Sequence, residues 1–529
     1  MHCIFWLGAQ RSAFRQGYFL AAALLTLFVA IGCGGGGGAA PPSSATAPRI
    51  TVATMACPPD TPSFLLTVPG SNFNSSSVIL LNGRELPTTF LGPDRLSTFV
   101  NAQELASGGN CQVRNTSPAR ETSELKTISS ANFKAGYLTP ITSPTQVVAG
   151  SPSFRLAMWG LPVDDKSVII WNGLSLPTTV DVATGYAFTT IPASEVARPG
   201  YAVVALYSPS GWITPAQIVN ITINQQVTGI MESPDGGQLL AIVPETSSTY
   251  AGQLIRIDPE TGSVSPLLAL GKPTSMVAAS DKRSLYVGSR WSSRIRRLAW
   301  PGLAEVMAFD LPSEGALTLL AVPGAPGSIL VGQPALLGGQ EIVIYDGNVG
   351  RPGHGAVYGY GDCVAFDTSG SRFYILNNGL SSFDLAAYSV DAGGLLLLGR
   401  SQTLNVTYGT GLAAWGGALY TSNGLVIDPT QFIVRPKSIG TGFQSQFFLD
   451  PPNNRMYFVG DSGQYGTVYL MVYDLTTLNR VGALVLHGIR NLPVRIVRWG
   501  RNGLAVAQDA GIGSDSSMYI FQTDLVRAF

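Results

Sequence analysis

Three histidines, five cysteines and one concentrated basic run are the side chains in this 529-residue chain that would be expected to carry chemistry. His2 stands in the leading segment, His354 in Gly353-His354-Gly355 and His487 in Leu486-His487-Gly488. Neither His354 nor His487 has a Cys, His or carboxylate at metal-ligand spacing, so no zinc site is expected. The chain carries no Gly-x-Ser-x-Gly elbow, and Gly34 to Gly38 read as a tether rather than a phosphate cradle. Asp509-Ala510-Gly511-Ile512-Gly513-Ser514-Asp515 is acidic and Gly-rich but lacks EF-hand spacing, and reads as a loop. No catalytic residue, metal or cofactor is therefore expected. The basic run is Arg290-Trp291-Ser292-Ser293-Arg294-Ile295-Arg296-Arg297. Here Arg290, Trp291 and Arg294 could present guanidinium groups and an indole to an acidic or sugar ligand. The same run also reads as a solvated strand edge whose Trp packs between neighbouring sheets. Trp415 and Trp499 stand at strand ends, where core packing is expected.

The elements that must position these residues are short strands. Hydrophobic residues make up 45% of the chain and charged residues 12%, with 61 Gly and 35 Pro, which favours frequent turns over long amphipathic helices. Lys+Arg and Asp+Glu balance at 32 each, without the basic excess of a nucleic-acid binder, so no nucleic-acid partner is expected. At the N-terminus, Arg11 and Arg15 precede an apolar run, Tyr18 to Ile31, too short to span a bilayer comfortably but suited to a signal-peptide core. The run ends in Ala30-Ile31-Gly32-Cys33, which resembles the lipobox of bacterial lipoproteins. That resemblance implies a signal peptide over 1–32, a lipid on Cys33 and stable membrane anchoring by more than one acyl chain. Gly34 after the cysteine implies delivery to the outer membrane of the cell envelope. Residues 33–48 are a Gly/Pro/Ser tether reaching about 50 Å when extended.

Val78-Ile79-Leu80-Leu81-Asn82-Gly83 recurs as Val168-Ile169-Ile170-Trp171-Asn172-Gly173, about 90 residues later. The Asn-Gly pairs are hairpin signals, because both residues tolerate positive φ. A duplicated unit of this length fits two β-sandwiches, 49–134 and 135–224. Leu66-Thr67-Val68-Pro69-Gly70-Ser71-Asn72-Phe73, followed by a strand, Asn-Gly and Thr88-Thr89, resembles the IPT/TIG family of immunoglobulin-like domains, which implies spacer or adhesion modules. Cys57 and Cys111 both fall in the first copy and align by spacing with Val147 and Ala202 of the second. Their joint loss fits a Cys57–Cys111 disulfide in an oxidising envelope; two separate buried thiols are the alternative. Cys363 reads as a small core residue.

From about residue 225 the period shortens. Turns recur near Pro234, Ser280, Pro323, Asp367, Gly416, Asp450 and Gly500, roughly every 44 residues, the length of a four-stranded propeller blade. Gln446 to Leu486 shows the unit, with four apolar runs joined by turns. Asp258-Pro259-Glu260-Thr261-Gly262, Asp428-Pro429-Thr430 and Asp474-Leu475-Thr476-Thr477 read as one recurring later turn. The expected fold is all-β: two immunoglobulin-like sandwiches followed by a seven-bladed β-propeller over 225–529. Ile221 to Val227 are expected to supply the fourth strand of the last blade and close the ring. The Asp-Pro-Glu-Thr-Gly turn resembles YVTN-type and quinoprotein-type propeller repeats. Ser263-Val264-Ser265 follows where the quinoprotein pattern has Trp, so no quinone is implied. The expected function is a lipid-anchored envelope binding or adhesion protein whose ligand is a polysaccharide or an envelope protein. The alternatives are a propeller lactonase, lyase or glycosidase with carboxylates at the channel mouth, and an outer-membrane assembly scaffold.

Overall fold

A computed structural model describes residues 47–522 except for short stretches, the longest being 57–62, 102–108, 129–140, 440–445, 462–467 and 509–516. The expected signal segment 1–32, Cys33, the expected tether up to Thr46 and Cys57 lie outside the described residues. The regular structure of the described chain is nearly all β-strand, with short 3-10 turns at Ala193–Val196 and Pro451–Asn453.

The two repeats share a plan and several bonds. In each, two sheets enclose a core: Leu66, Val68 and Leu96 meet Ile79, Leu81 and Val113 in the first, and Leu156, Met158 and Ala187 meet Ile169, Trp171 and Leu206 in the second. The pairing is antiparallel except where Gln146–Val148 runs parallel to Gln217–Asn224 in the second. Asn82 and Asn172 adopt φ of 52° and 48°. Their side-chain oxygens accept from the N–H of Asn110 and Val203, at 2.9 Å in both copies. Thr88 and Thr178 hydroxyls accept from Ile79 N and Ile169 N at 2.8 Å in both, and donate to Leu86 and Leu176 carbonyls at 2.8 Å. An Asn-Gly hairpin and a β-bridging threonine are thus reused to turn the same strand.

The rest of the described residues form consecutive antiparallel sheets wired in chain order, of four strands each except the third, where Gly355–Val357 adds a fifth. They begin, from the first to the seventh, at Gly229–Glu232, Ser275–Ala278, Thr318–Ala321, Cys363–Phe366, Leu412–Trp415, Gln446–Asp450 and Val494–Trp499. Period-2 alternation sends each strand's side chains to two different cores. Leu239 and Ala241 join Ile255, Ala505 and Ile520, whereas Leu240 joins Leu254, Leu285 and Leu298. Tyr286 and Ile295 meet Ile329 and Val343; Leu330 and Ile342 meet Phe373 and Ile375. Further round, Tyr374 and Leu376 meet Leu419 and Ile427, and Ile439 meets Met456 and Phe458. Tyr457 and Leu470 then meet Leu504 and Tyr519, so the clusters return to the seventh sheet and, through it, to the first. Every sheet buries both faces against its neighbours, and Val494–Trp499 adjoins both Gln446–Asp450 and Gly229–Glu232. This is a closed β-propeller.

The recurring turns have one chemistry. Asp258, Asp428 and Asp474 each accept from backbone N–H groups two and three residues on, at 2.7–3.3 Å. At Asp258 and Asp474 burial raises the carboxyl pKa, but these bonds prevail and hold it below the usual range; at Asp428 the Thr430 hydroxyl leads the same lowering. Asp391 forms the same kind of turn with Gly393 N at 2.7 Å.

The seventh sheet has three strands from the end of the described chain and a fourth, Gln217–Asn224, from before the ring. Thr222, Ile223 and Asn224 pair with Tyr519, Met518 and Ser517, as expected for closure. The same strand pairs Gln217 to Ile221 with Gly200–Ser208 of the second sandwich. One closing strand therefore belongs to both the sandwich and the propeller, and their sheets run together.

The structure corrects the cysteine reading. Cys111 is a free thiol, fully buried in the first core, and burial pushes it up to about 12. The register pairs Cys111 with Leu81 and Val204 with Trp171, so its counterpart is Val204 and not Ala202. The second copy spends two more residues around the Ala193–Val196 turn, which displaced the alignment. Cys111 occupies a core site that a valine fills in the second copy, and its sulfur is not in a disulfide.

Candidate binding surface

In a ring of antiparallel four-stranded sheets, the second-to-third strand hairpins and the sheet-to-sheet crossings all emerge at one end of the strands. Arg290 and Trp291 form such a hairpin tip, between Ser284–Ser289 and Ser292–Ala299. The tip is held rigidly. Arg290 N donates to Thr274 Oγ1 at 2.8 Å and Trp291 N to Ser289 Oγ at 3.1 Å. The crossing to the third sheet lies against it, Ala316 N donating to Ser289 O at 2.7 Å and Leu311 N to Ser293 O at 2.9 Å. Gly315, at φ +96°, approaches so closely that a Cβ would stand 2.3 Å from Arg290 O.

From this base the Trp291 ring projects into solvent, 70% exposed. The expectation that it packs between sheets is overturned: a two-residue tip places its side chains beyond the edge of the adjoining sheets. Among the described residues no carboxylate pairs with the Arg290 guanidinium. The other arginines of the run are engaged. Arg294 lies 3.6 Å from Glu305 and 3.8 Å from Asp310, and Arg296 bonds Glu305 at 2.6 Å. That hydrogen bond, ahead of the charges of Arg296 and Arg294, lowers the Glu305 carboxyl pKa. Arg297 stacks over Tyr286 at 5.4 Å and donates to Ser284 Oγ at 2.9 Å. The structure thus places Arg290 and Trp291 together at the tip, with no described carboxylate on Arg290, and assigns Arg294 to the ionic surface of its own sheet. Trp499 is buried as expected, but Trp415, at the opposite end of the strands, is 39% exposed.

The same end of the third sheet holds a pair that sequence spacing does not show. His354 Nδ1 lies 2.6 Å from Glu341 Oε1, and Glu341 Oε2 accepts from Gln333 Nε2 at 3.1 Å. The twelve intervening residues turn back so that Gly355–Val357 pairs with Gln340–Ile342. A continuous path joins this pair to the tryptophan tip: Leu317 N donates to Gly332 O at 2.8 Å, and Thr318 Oγ1 to Gln340 Oε1 at 3.2 Å.

The carboxylates on the innermost strands are occupied in holding sheets together. Asp450 accepts from Arg498 Nε at 2.7 Å, Asn453 Nδ2 at 2.8 Å and Tyr457 Oη at 3.2 Å. Burial first, then the Asp450 charge, raises the Tyr457 phenol pKa strongly, so it stays a donor. Glu232 Oε1 accepts from Gly500 N at 2.9 Å. Among the described residues no group of three or more His, Cys, Asp or Glu is placed to hold a metal ion.

No family model matches the chain, and no curated protein is significantly similar to it. Among solved structures, it is similar to the Cps50 (Swd1) β-propeller domain of Myceliophteria thermophila at 11% identity and TM-score 0.41, over 57% of this chain and 98% of that one. A quinonprotein alcohol dehydrogenase-like protein from Bacteroides thetaiotaomicron matches at 9% identity and TM-score 0.36, over 65% and 96% of the two chains. The dihydro-heme d1 dehydrogenase NirN matches at 14% and 0.38, over 61% and 69%. At these values no activity, cofactor or partner transfers, and a propeller by itself specifies none.

Proposed function

We propose that this chain is a binding protein of the bacterial cell envelope, held to the outer membrane by a lipid on Cys33. Two IPT/TIG-type immunoglobulin-like sandwiches carry a seven-bladed propeller, whose loop end takes a polysaccharide or an envelope protein. The observation that supports this reading best is the rigid Arg290–Trp291 tip. An indole 70% exposed beside a guanidinium that no described carboxylate pairs with combines two residue types enriched at the hot spots of recognition surfaces. Acidic glycans and acidic protein surfaces both match its chemistry. The test is binding of the full chain to a panel of envelope glycans and to envelope extract. Trp291→Ala should weaken the interaction by about tenfold or more, with Arg290→Ala close behind and Arg294→Ala having little effect. Full retention of binding by the Trp291→Ala, Arg290→Ala double variant would dismiss the site.

A second reading, an envelope lactonase, lyase or glycosidase, draws on the Glu341–His354 contact, since a carboxylate fixes an imidazole in one orientation for proton transfer. Turnover of a lactone or glycan that disappears in His354→Gln would favour it over pure binding. The outer-membrane scaffold reading would require co-purification with the assembly machinery.

A further inference from the structure

Where the second sandwich meets the sixth and seventh sheets, a half-buried histidine joins them. His487 follows directly after Arg480–Leu486, and its main chain and its ring both bond across the seam. Its backbone N–H donates to Asn220 Oδ1 at 2.7 Å, and Asn220 Nδ2 donates in return to Val485 O at 3.2 Å. The Tyr519 phenol donates to the His487 carbonyl. The imidazole bonds to the backbone of Ile218. Ile218 and Asn220 belong to the closing strand, and Tyr519 to the strand that it pairs with in the seventh sheet. Apolar contacts complete the seam: Val203 and Ile218 of the sandwich pack with Leu486, Ile489 and Phe521, and Tyr201 meets Phe521 edge-on at 6.0 Å. Nearby, Gln146 Nε2 donates to both Thr222 Oγ1 and Ser517 Oγ, at 3.1 and 2.6 Å.

We propose that His487 is a proton-operated latch between the second sandwich and the propeller: closed when the imidazole is neutral, loosened when it takes up a proton. The neutral ring suits a seam lined by apolar residues and donates one N–H. A second proton would place a cation beside the cluster that Val203, Ile218, Leu486 and Phe521 form. Among the described residues, the titratable groups that the packed strands bring near are phenols: Tyr201 from the sandwich, Tyr469 from the sixth sheet and Tyr519 from the seventh. Asp461 lies two strands across the sixth sheet, Asp474 and Arg480 at the far end of its outer hairpin, and Arg495 on the innermost strand of the seventh. Burial lowers the ring's affinity for its proton first, and the Ile218 bond raises it second. A base whose folded-state pKa is lowered stabilises the closed form fully above the ordinary histidine range. That contribution is lost as pH falls through about 6.5 and below.

Hydrogen–deuterium exchange on the full chain tests this at pH 7.5 and 5.0, corrected for intrinsic rates. Acidification should raise exchange of Gln217–Asn224 and Ser517–Gln522 several-fold more than that of Gln340–Asp346 in the third sheet. His487→Gln, which keeps a donor for Ile218 without a titrating ring, should remove the excess, and His354→Gln should leave it intact. If His487→Gln does not fold, the C2-proton exchange of His487 in the native chain reports its titration directly, with a midpoint below the ordinary histidine value of about 6.5 supporting the latch. Equal acid sensitivity of the seam and the third sheet, or a His487 midpoint at or above about 6.5, would overturn it.

Discussion

The two sandwich repeats share a hairpin, a threonine bridge and a strand order, yet they differ at their last strand. In the first copy its described part is Lys126–Ile128, which pairs with Gly109–Asn115. In the second it is Gln217–Asn224, whose last residues leave the sandwich and complete the propeller. A strand shared in this way makes the second module part of its neighbour. The second sandwich is therefore a fixed extension of the ring rather than a swinging spacer. The first touches the second through short contacts, between Thr54–Ala56 and Trp212–Ile213 and between Thr89–Gly92 and Leu174–Ser175.

The sharpest way to break this comparison is to remove the last strand from each copy. Deleting Gln217–Asn224 should cost more than about 4 kcal/mol and melt propeller and second sandwich together. Deleting Lys126–Ile128 should lower only an early transition in calorimetry. Next come the matched core positions. Leu81→Ala and Trp171→Ala should each cost about 2–5 kcal/mol, but the loss at Trp171 should also shift the propeller transition while that at Leu81 does not. Thr88→Val and Thr178→Val remove one bridging bond each and should cost about 1 kcal/mol apiece, alike in both copies by denaturant titration. The smallest effect is expected for Cys111→Val. It should change stability by less than about 1 kcal/mol, since Val204 fills the same place, whereas loss of a disulfide would cost about 2–5 kcal/mol.

Much of this was legible in the chain because turns leave chemical signatures. Asn82 and Asn172 marked their hairpins, and Asp258, Asp428 and Asp474 marked turns whose bonds match. Ring closure could be expected from a last sheet one strand short. What escaped was set by tertiary contact. Trp291 looks in sequence like any strand-end tryptophan, and only the two-residue tip decides that it points outward. Glu341 and His354 meet because a short return strand folds back, which no spacing rule encodes. The Cys111 alignment failed where a loop of unequal length moved the register by two residues.

The closing strand also sets an order of events during synthesis. Gln217–Asn224 leaves the ribosome long before Ser517–Gln522, some 300 residues earlier. Over that interval the second sandwich has all its own partners, yet the far end of its final strand has none. The loop-closure entropy of so long a span grows only logarithmically, so waiting adds little to the cost of the eventual pairing. The hazard is kinetic, because an unmatched edge accepts any strand that reaches it first. A nascent chain of this protein needs its tail before its waist is safe.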